Sequence, residues 1–202
     1  MSKNSILYIA SNNQGKVLEI SSILKSYRTQ VRTLTELDQP VTWEETGSTF
    51  EENALIKARA VQKITRTAVI ADDSGLCVPS IGGEPGVYSS RFGGEEGNAE
   101  KNIAKLLSVL EGLKEEERLA YFVCHMTFLE PEGTAHHFTG KVHGKISTKR
   151  SGSKGFGYDP IFIPDGHSKS FGELDLDHKN SMSHRSKALE SFSKFAKSSS
   201  FF

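Results

Sequence analysis

Residues 67–78 read TAVIADDSGLCV. The apolar run 67–71 is short and bounded by polar residues, and it predicts a buried strand. Two acids, Asp72 and Asp73, follow it directly. Neighbouring carboxylates disfavour joint ionisation unless a cation or hydrogen-bond donors offset them. The pair therefore reads either as a polar turn behind the strand or as a metal site. Residues 75–97 are rich in glycine and predict a long loop or a set of turns.

Upstream, SILYIA (5–10) is a second buried strand, running into the polar SNNQGK (11–16). From Gln14 the period changes: Val17, Ile20, Leu24 and Tyr27 recur at helical spacing, with Ser11, Asn12 or Asn13 as N-cap. TQVRTL (29–34) is a weaker strand. TFEENALIKARAVQKIT (49–65) is the clearest helix, and Thr49 with Glu52 has capping-box spacing. Its inward stripe is Phe50, Ala54, Val61 and Ile64, and Lys57 lies on it too. An inward lysine is expensive unless it is paired or reaches out at the edge. Downstream, a helix starts at Asn98 and ends by Gly112. Residues 118–129 are apolar on both parities, as in a central strand. A turn at 131–133 returns the chain as antiparallel strand over 134–147. A last helix from about Ser183 carries Leu189, Phe192 and Ala196 on one face, and the Ser/Phe tail is expected to fray. Strands and helices intermix, which predicts one α/β domain over 1–202 with a mixed sheet.

The chain has 202 residues, with 25 Lys plus Arg against 25 Asp plus Glu. Zero formal charge argues against a nucleic-acid-binding face or a polybasic membrane patch. No run approaches a membrane span, and the N-terminal apolar run is too short for a signal segment. The two cysteines, Cys77 and Cys124, form no Cys-x-x-Cys pair and read as buried thiols. A cytoplasmic protein is the simplest reading.

Four polar clusters sit at element ends: SNNQGK (11–16), EETGSTF (44–50), DDSG (72–75), and GFGYDP (155–160) with KNSMSHR (179–185). The first offers free N–H groups at a helix start and a charge on Lys16, a cradle for an anion or simply a capped helix. Glu44, Glu45, Asp72 and Asp73 suit Mg²⁺, which takes one or two carboxylates plus phosphates. Each acid alone also reads as a solvated turn. GFGYDP leaves room for a flat ring against Phe156, with Asp159 as acceptor. Lys179, His184 and Arg185 supply donors for a base carbonyl or a phosphate.

In order along nearly the whole chain, SNNQGKVLEI, EETGSTFEENALIKARA, ADDSGLCVPSIGGEPGVYSSRFGG, GFGYDPIF and SMSHRSKAL resemble the HAM1-like family of inosine/xanthosine triphosphate pyrophosphatases. The resemblance implies Mg²⁺-dependent hydrolysis of non-canonical purine nucleoside triphosphates (ITP, dITP, XTP) to monophosphate and pyrophosphate. It implies a two-lobed α/β fold on a long mixed sheet, a cleft between the lobes, and a homodimer. By resemblance, Asp73 is the catalytic acceptor and a metal-linked carboxylate, Glu45 a metal ligand, Asp72 an assistant and Lys57 a phosphate holder. Ser11, Asn12, Asn13, Gln14, Gly15, Lys16 and Ser74 would line the triphosphate. Phe156, Gly157, Tyr158 and Asp159, with Lys179, His184 and Arg185, would hold the base. The first motif usually reads Thr-Gly-Asn where this chain has Ser11-Asn12-Asn13, and Trp43 replaces a small residue. Rival readings are a nucleotide sensor without turnover, an enzyme for other nucleotides, and a nucleic-acid-binding protein.

Overall fold

A computed structural model describes residues 5–25 and 29–198. The expectations for Tyr27 and for the Ser/Phe tail over 199–202 fall outside the described residues. The elements in order are β1 (Ile6–Ala10), α1 (Gln14–Leu24), β2 (Gln30–Thr33), α2 (Phe50–Thr65), β3 (Ala68–Cys77), α3 (Ala99–Val109), β4 (Leu119–Leu129), β5 (Ala135–Ile146), β6 (Phe162–Pro164), α4 (Leu176–Met182) and α5 (His184–Ser198). The strands form one six-stranded sheet in the order β2-β1-β3-β4-β5-β6. β1 runs parallel to β2 and β3, and β5 antiparallel to β6, so the sheet is mixed, as expected of this α/β chain. No helix among the described residues is long and apolar enough to cross a membrane.

The local rules are met where they were readable. Asn13 caps α1 by accepting from the Lys16 N–H, and Thr49 with Glu52 closes the capping box of α2. Asn12 stands where relatives of the motif carry glycine, yet Arg66 alone among described non-glycine residues has positive φ. That turn therefore needs no glycine. Two elements were missed. β6 is three residues long. α4 is held by its Asp175 N-cap and has no apolar stripe to read, its Leu176 being exposed. The largest departure is β3, which does not stop at Ala71 but continues through both acids to Cys77.

The chain divides into two compact units. Unit 1 comprises Met1–Asp73, Cys124–Gly140 and Arg185–Phe202; unit 2 comprises Ser74–Val123 and Lys141–His184. In unit 1 the sheet buries both faces, and the period-2 alternation of a strand sorts its residues between them. Leu7, Ile9, Ala68 and Ile70 join one apolar cluster with Val17, Ile20 and Leu24 of α1 and Ala188, Leu189 and Phe192 of α5. Tyr8, Ala10, Val69 and Ala71 join the other, with Ala58 and Val61 of α2. Trp43 packs at the edge of this second cluster.

Unit 2 packs Ile103, Leu106 and Leu110 against Leu76, Phe122, Val142, Ile146, Phe162 and Phe171. Neither Cys77 nor Cys124 is in a disulfide, and both are buried, each within its own unit.

Arg118 ends the loop before β4 and is itself buried. Its guanidinium donates to the carbonyls of Leu110, Ile146 and Ser147 at 2.6, 2.8 and 2.7 Å. One side chain thus satisfies the end of α3 and the end of β5. Unpaired buried carbonyls cost about 1–3 kcal/mol each. Arg118→Ala is expected to lower stability by about 3 kcal/mol or more. Urea unfolding measures this, and a loss below about 1 kcal/mol would show that solvent replaces those bonds.

Candidate functional site

Because β3 runs straight through Asp72 and Asp73, the two carboxylates point to opposite faces of the sheet. They do not share one space and do not need one common cation. Asp72 continues the parity of Ile70, toward α1 and α5. There its Oδ2 lies 3.2 Å from Lys16 Nζ and 3.3 Å from Arg185 Nε. Cys124 Sγ lies 3.9 Å away. Arg185 also bonds Glu19 through its other arm, and both members of that pair are buried. Burial works against the Arg185 charge, but the Asp72 and Glu19 carboxylates outweigh it and raise its pKa.

Asp73 continues the parity of Ala71, toward α2. Lys57 meets it there: Nζ lies 2.8 Å from Asp73 Oδ1, 2.8 Å from Glu45 Oε1 and 3.1 Å from the Asp72 carbonyl oxygen. Glu45 keeps about 24% of its side chain exposed, against 7% for Asp73 and 6% for Lys57. Burial disfavours the Lys57 charge, yet the carboxylates of Asp73, Asp72 and Glu45 raise its pKa overall. Burial also raises the Asp73 carboxyl above its usual range, against the pull of Lys57 and Lys16. A carboxylate raised in this way is a stronger base than a free one.

The SNNQGK loop lies between β1 and α1. Ser11 is buried and its Oγ accepts from the Asn13 N–H at 3.2 Å, while Asn13 Oδ1 accepts from the Lys16 N–H at 3.2 Å. Asn12, Asn13 and Gln14 are exposed, and Gly15 is half-buried. Ser74, next along β3, is half-buried. Glu44 is exposed.

The second cluster lies in unit 2. Asp159 Oδ2 accepts from Lys179 Nζ and from the Phe156 N–H, each at 2.8 Å. Lys179 Nζ also stands 4.5 Å over the Phe156 ring. Gly155 has φ +73°, and a Cβ there would lie 2.1 Å from that same Asp159 oxygen. Gly157 too has positive φ. Tyr158 is buried, with its hydroxyl donating to the Ser89 carbonyl at 2.9 Å. Buried His184 stacks on Phe122 at 4.9 Å and 13°. The structure thus gathers Lys179, Phe156 and Asp159 in one group, and places Arg185 in the ion pairs with Asp72 and Glu19.

A family model described as the Ham1 family matches residues 7–195. The chain belongs to that family. It is 46% identical over 186 residues to a dITP/XTP pyrophosphatase of Bacillus subtilis, covering 92% of this chain and 94% of that protein. It is 46% identical over 193 residues to a dITP/XTP pyrophosphatase of Leptospira interrogans, covering 95% and 96%. The solved structure of the Staphylococcus aureus Ham1 protein superposes with a TM-score of 0.86 at 41% identity, covering 96% of this chain and 99% of that one.

In this Ham1 chain the donors around Lys57 fit Mg²⁺. Glu45 and Asp73 offer hard oxygen atoms that converge on one ammonium. Among the described residues no three His, Cys, Asp or Glu side chains gather into a cage. Mg²⁺ needs none, since one or two carboxylates with waters and substrate phosphates complete its shell. Glu19 and Asn53 were missed in the sequence. For Glu19 the signal was present: Arg185 heads the stripe Leu189, Phe192 and Ala196, and an inward arginine demands a carboxylate.

Removing one partner of a buried ion pair leaves an uncompensated charge, at about 3–5 kcal/mol. Arg185→Leu is expected to destabilise by that amount, and the double variant Glu19→Leu/Arg185→Leu by clearly less. Chemical denaturation compares both with Glu19→Leu alone. Single losses that simply add up to the double variant's loss would mean that the pair carries no coupling.

Proposed function

We propose that the chain is a pyrophosphatase for non-canonical purine nucleoside triphosphates of the inosine and xanthosine type. It would release the nucleoside monophosphate and pyrophosphate, and so clear such nucleotides from the pool. The observation that carries this reading is the buried Lys57 ammonium held between Glu45 and Asp73, 2.8 Å from each, in a chain 46% identical to a dITP/XTP pyrophosphatase.

Hydrolysis of the α–β anhydride needs a water oxygen to bond to phosphorus, the bridging P–O bond to break, and a proton acceptor. Asp73, its pKa raised by burial, takes the proton from that water. Lys57 stays protonated and pairs with phosphate charge as it develops. Lys16 and the N–H groups at the start of α1 hold further phosphate oxygens. Mg²⁺, when bound by Glu45 and Asp73, supplies charge neutralisation on the phosphates and acidifies water.

In unit 2, the Phe156 ring offers a flat face for a purine, and Lys179 with His184 offers donors. Inosine and xanthosine carry a 6-keto acceptor, whereas adenine carries a 6-amino donor. A site built to donate there leaves its polar groups unpaired against adenine, a penalty of roughly 10⁴ in rate. We further read the enzyme as Mg²⁺-dependent, homodimeric and cytoplasmic, on the family resemblance.

The test is purified protein with Mg²⁺ and inosine triphosphate beside ATP and GTP, with products resolved. Inosine monophosphate and pyrophosphate, with little turnover of ATP, are expected. Chelation of Mg²⁺ should abolish turnover, and Asp73→Asn should remove nearly all of it while the circular dichroism spectrum is kept. Inosine diphosphate with orthophosphate would discard α–β cleavage. Binding without turnover would replace the enzyme by a sensor.

A further inference from the structure

Asn53 lies one helical turn before Lys57 on the inward face of α2, and it is fully buried. Both ends of its amide are engaged. Nδ2 donates to Asp73 Oδ2 at 3.4 Å, and Oδ1 accepts from the Gly47 N–H at 2.8 Å. Asp73 therefore has a different donor on each oxygen: Lys57 on Oδ1 and Asn53 on Oδ2. Its carboxylate plane cannot turn without losing one of them. At 3.4 Å the Asn53 bond is weak, and bonds of this kind in catalytic sites tighten when substrate binds.

The other end of the amide acts on the loop that carries Glu45. Gly47 is two residues beyond Glu45, and Thr46 N–H bonds back to the Glu44 carbonyl at 3.0 Å, so the segment is a tight turn. Ser48 and Thr49 give their N–H groups to Glu52 Oε2 at 2.7 and 3.1 Å. Three successive N–H groups are thus pinned to the first turn of α2, the first of them by Asn53. The fit is close: a Cβ on Gly47 would lie 2.7 Å from Asn53 Oδ1.

We propose that Asn53 is a positioning residue, whose buried amide fixes both the Asp73 carboxylate and the Glu45 loop in one geometry around Lys57. The inference rests on the reading that these groups carry the hydrolysis. Asn53 acts through Asp73 and through the loop, and it sets where those two stand relative to Lys57. A misplacement of about 1 Å in such a site lowers the rate about 100-fold.

The experiment compares the wild type, Asn53→Leu and Gly47→Ala. Gly47→Ala removes no site carboxylate and acts by pushing the Glu45 loop off the first turn of α2, where its Cβ would lie 2.7 Å from Asn53 Oδ1 and from Glu52 Cβ. The readouts are kcat and KM for inosine triphosphate, the thermal midpoint, and amide hydrogen exchange at Gly47. In Asn53→Leu, kcat per folded molecule should fall about 100-fold while KM moves by no more than about threefold. Gly47→Ala should show the same split to a smaller degree, and Gly47 exchange should quicken in Asn53→Leu. If Asn53→Leu does not fold, an unchanged kcat in Gly47→Ala overturns the proposal. Activity lost only in proportion to the unfolded fraction also overturns it. A wild type that hydrolyses nothing sinks the reaction reading instead. Gly47 exchange then decides this inference alone, since unchanged exchange in Asn53→Leu would mean that the amide does not hold the loop.

Discussion

The alternation of β3 decides where the buried charges around Asp72 and Asp73 must go. Successive side chains of a strand point to opposite faces, and both faces of this sheet are covered by helices. Asp72 and Asp73 therefore enter two separate apolar layers. Each burial is costly for a carboxylate unless a cation lies within bonding distance. The helices supply those cations at fixed places: Lys16 on α1 and Arg185 on α5 for Asp72, Lys57 on α2 for Asp73. Pairing of like charges, the first difficulty the sequence raises, is removed by geometry before any metal is considered.

The same requirement ties the elements together. Glu19 of α1 and Asp72 of β3 meet on Arg185, so three elements share one buried network. Such a network is sensitive to single substitutions because each removal strands a charge. Unit 2 uses a related device on a smaller scale. Asp159 receives an ammonium and a backbone N–H on one oxygen, and Gly155 is required because a Cβ would collide with that oxygen.

The sequence made much of this legible, and the reasons for the rest are physical. α2 was readable because its capping box and apolar stripe are both local, and Lys57 stood out as a charge on that stripe. The loop at 11–16 was readable because capping depends on side chains three residues apart. β3 was cut short at Ala71 because a strand that buries acids breaks the apolar pattern, and only cations from α1, α2 and α5 make the continuation affordable. Those partners lie 15 to 113 residues from Asp72 in the chain. Asn53 was overlooked for a similar reason: an asparagine beside Ala54 reads as neutral until Gly47 and Asp73 are seen to need its two ends.

Asp72 and Asp73 look alike in the chain, but their surroundings assign them different work. The Asp72 network is closed around Arg185, with side chains of Glu19, Asp72 and Arg185 at most 2% exposed, while Lys16 at its edge is 14% exposed. Arg185 cannot give up its proton, and its neighbours hold that proton more firmly still. Such a group can fix positions but cannot exchange a proton with a substrate. The Asp73 network opens at one end, where Glu45 is about 24% exposed, and its central carboxyl is held above the ordinary range by burial. Solvent access together with a raised pKa is what a proton acceptor needs. In the proposed reaction, the division of labour between two adjacent acids would thus follow from which side of the sheet each one faces.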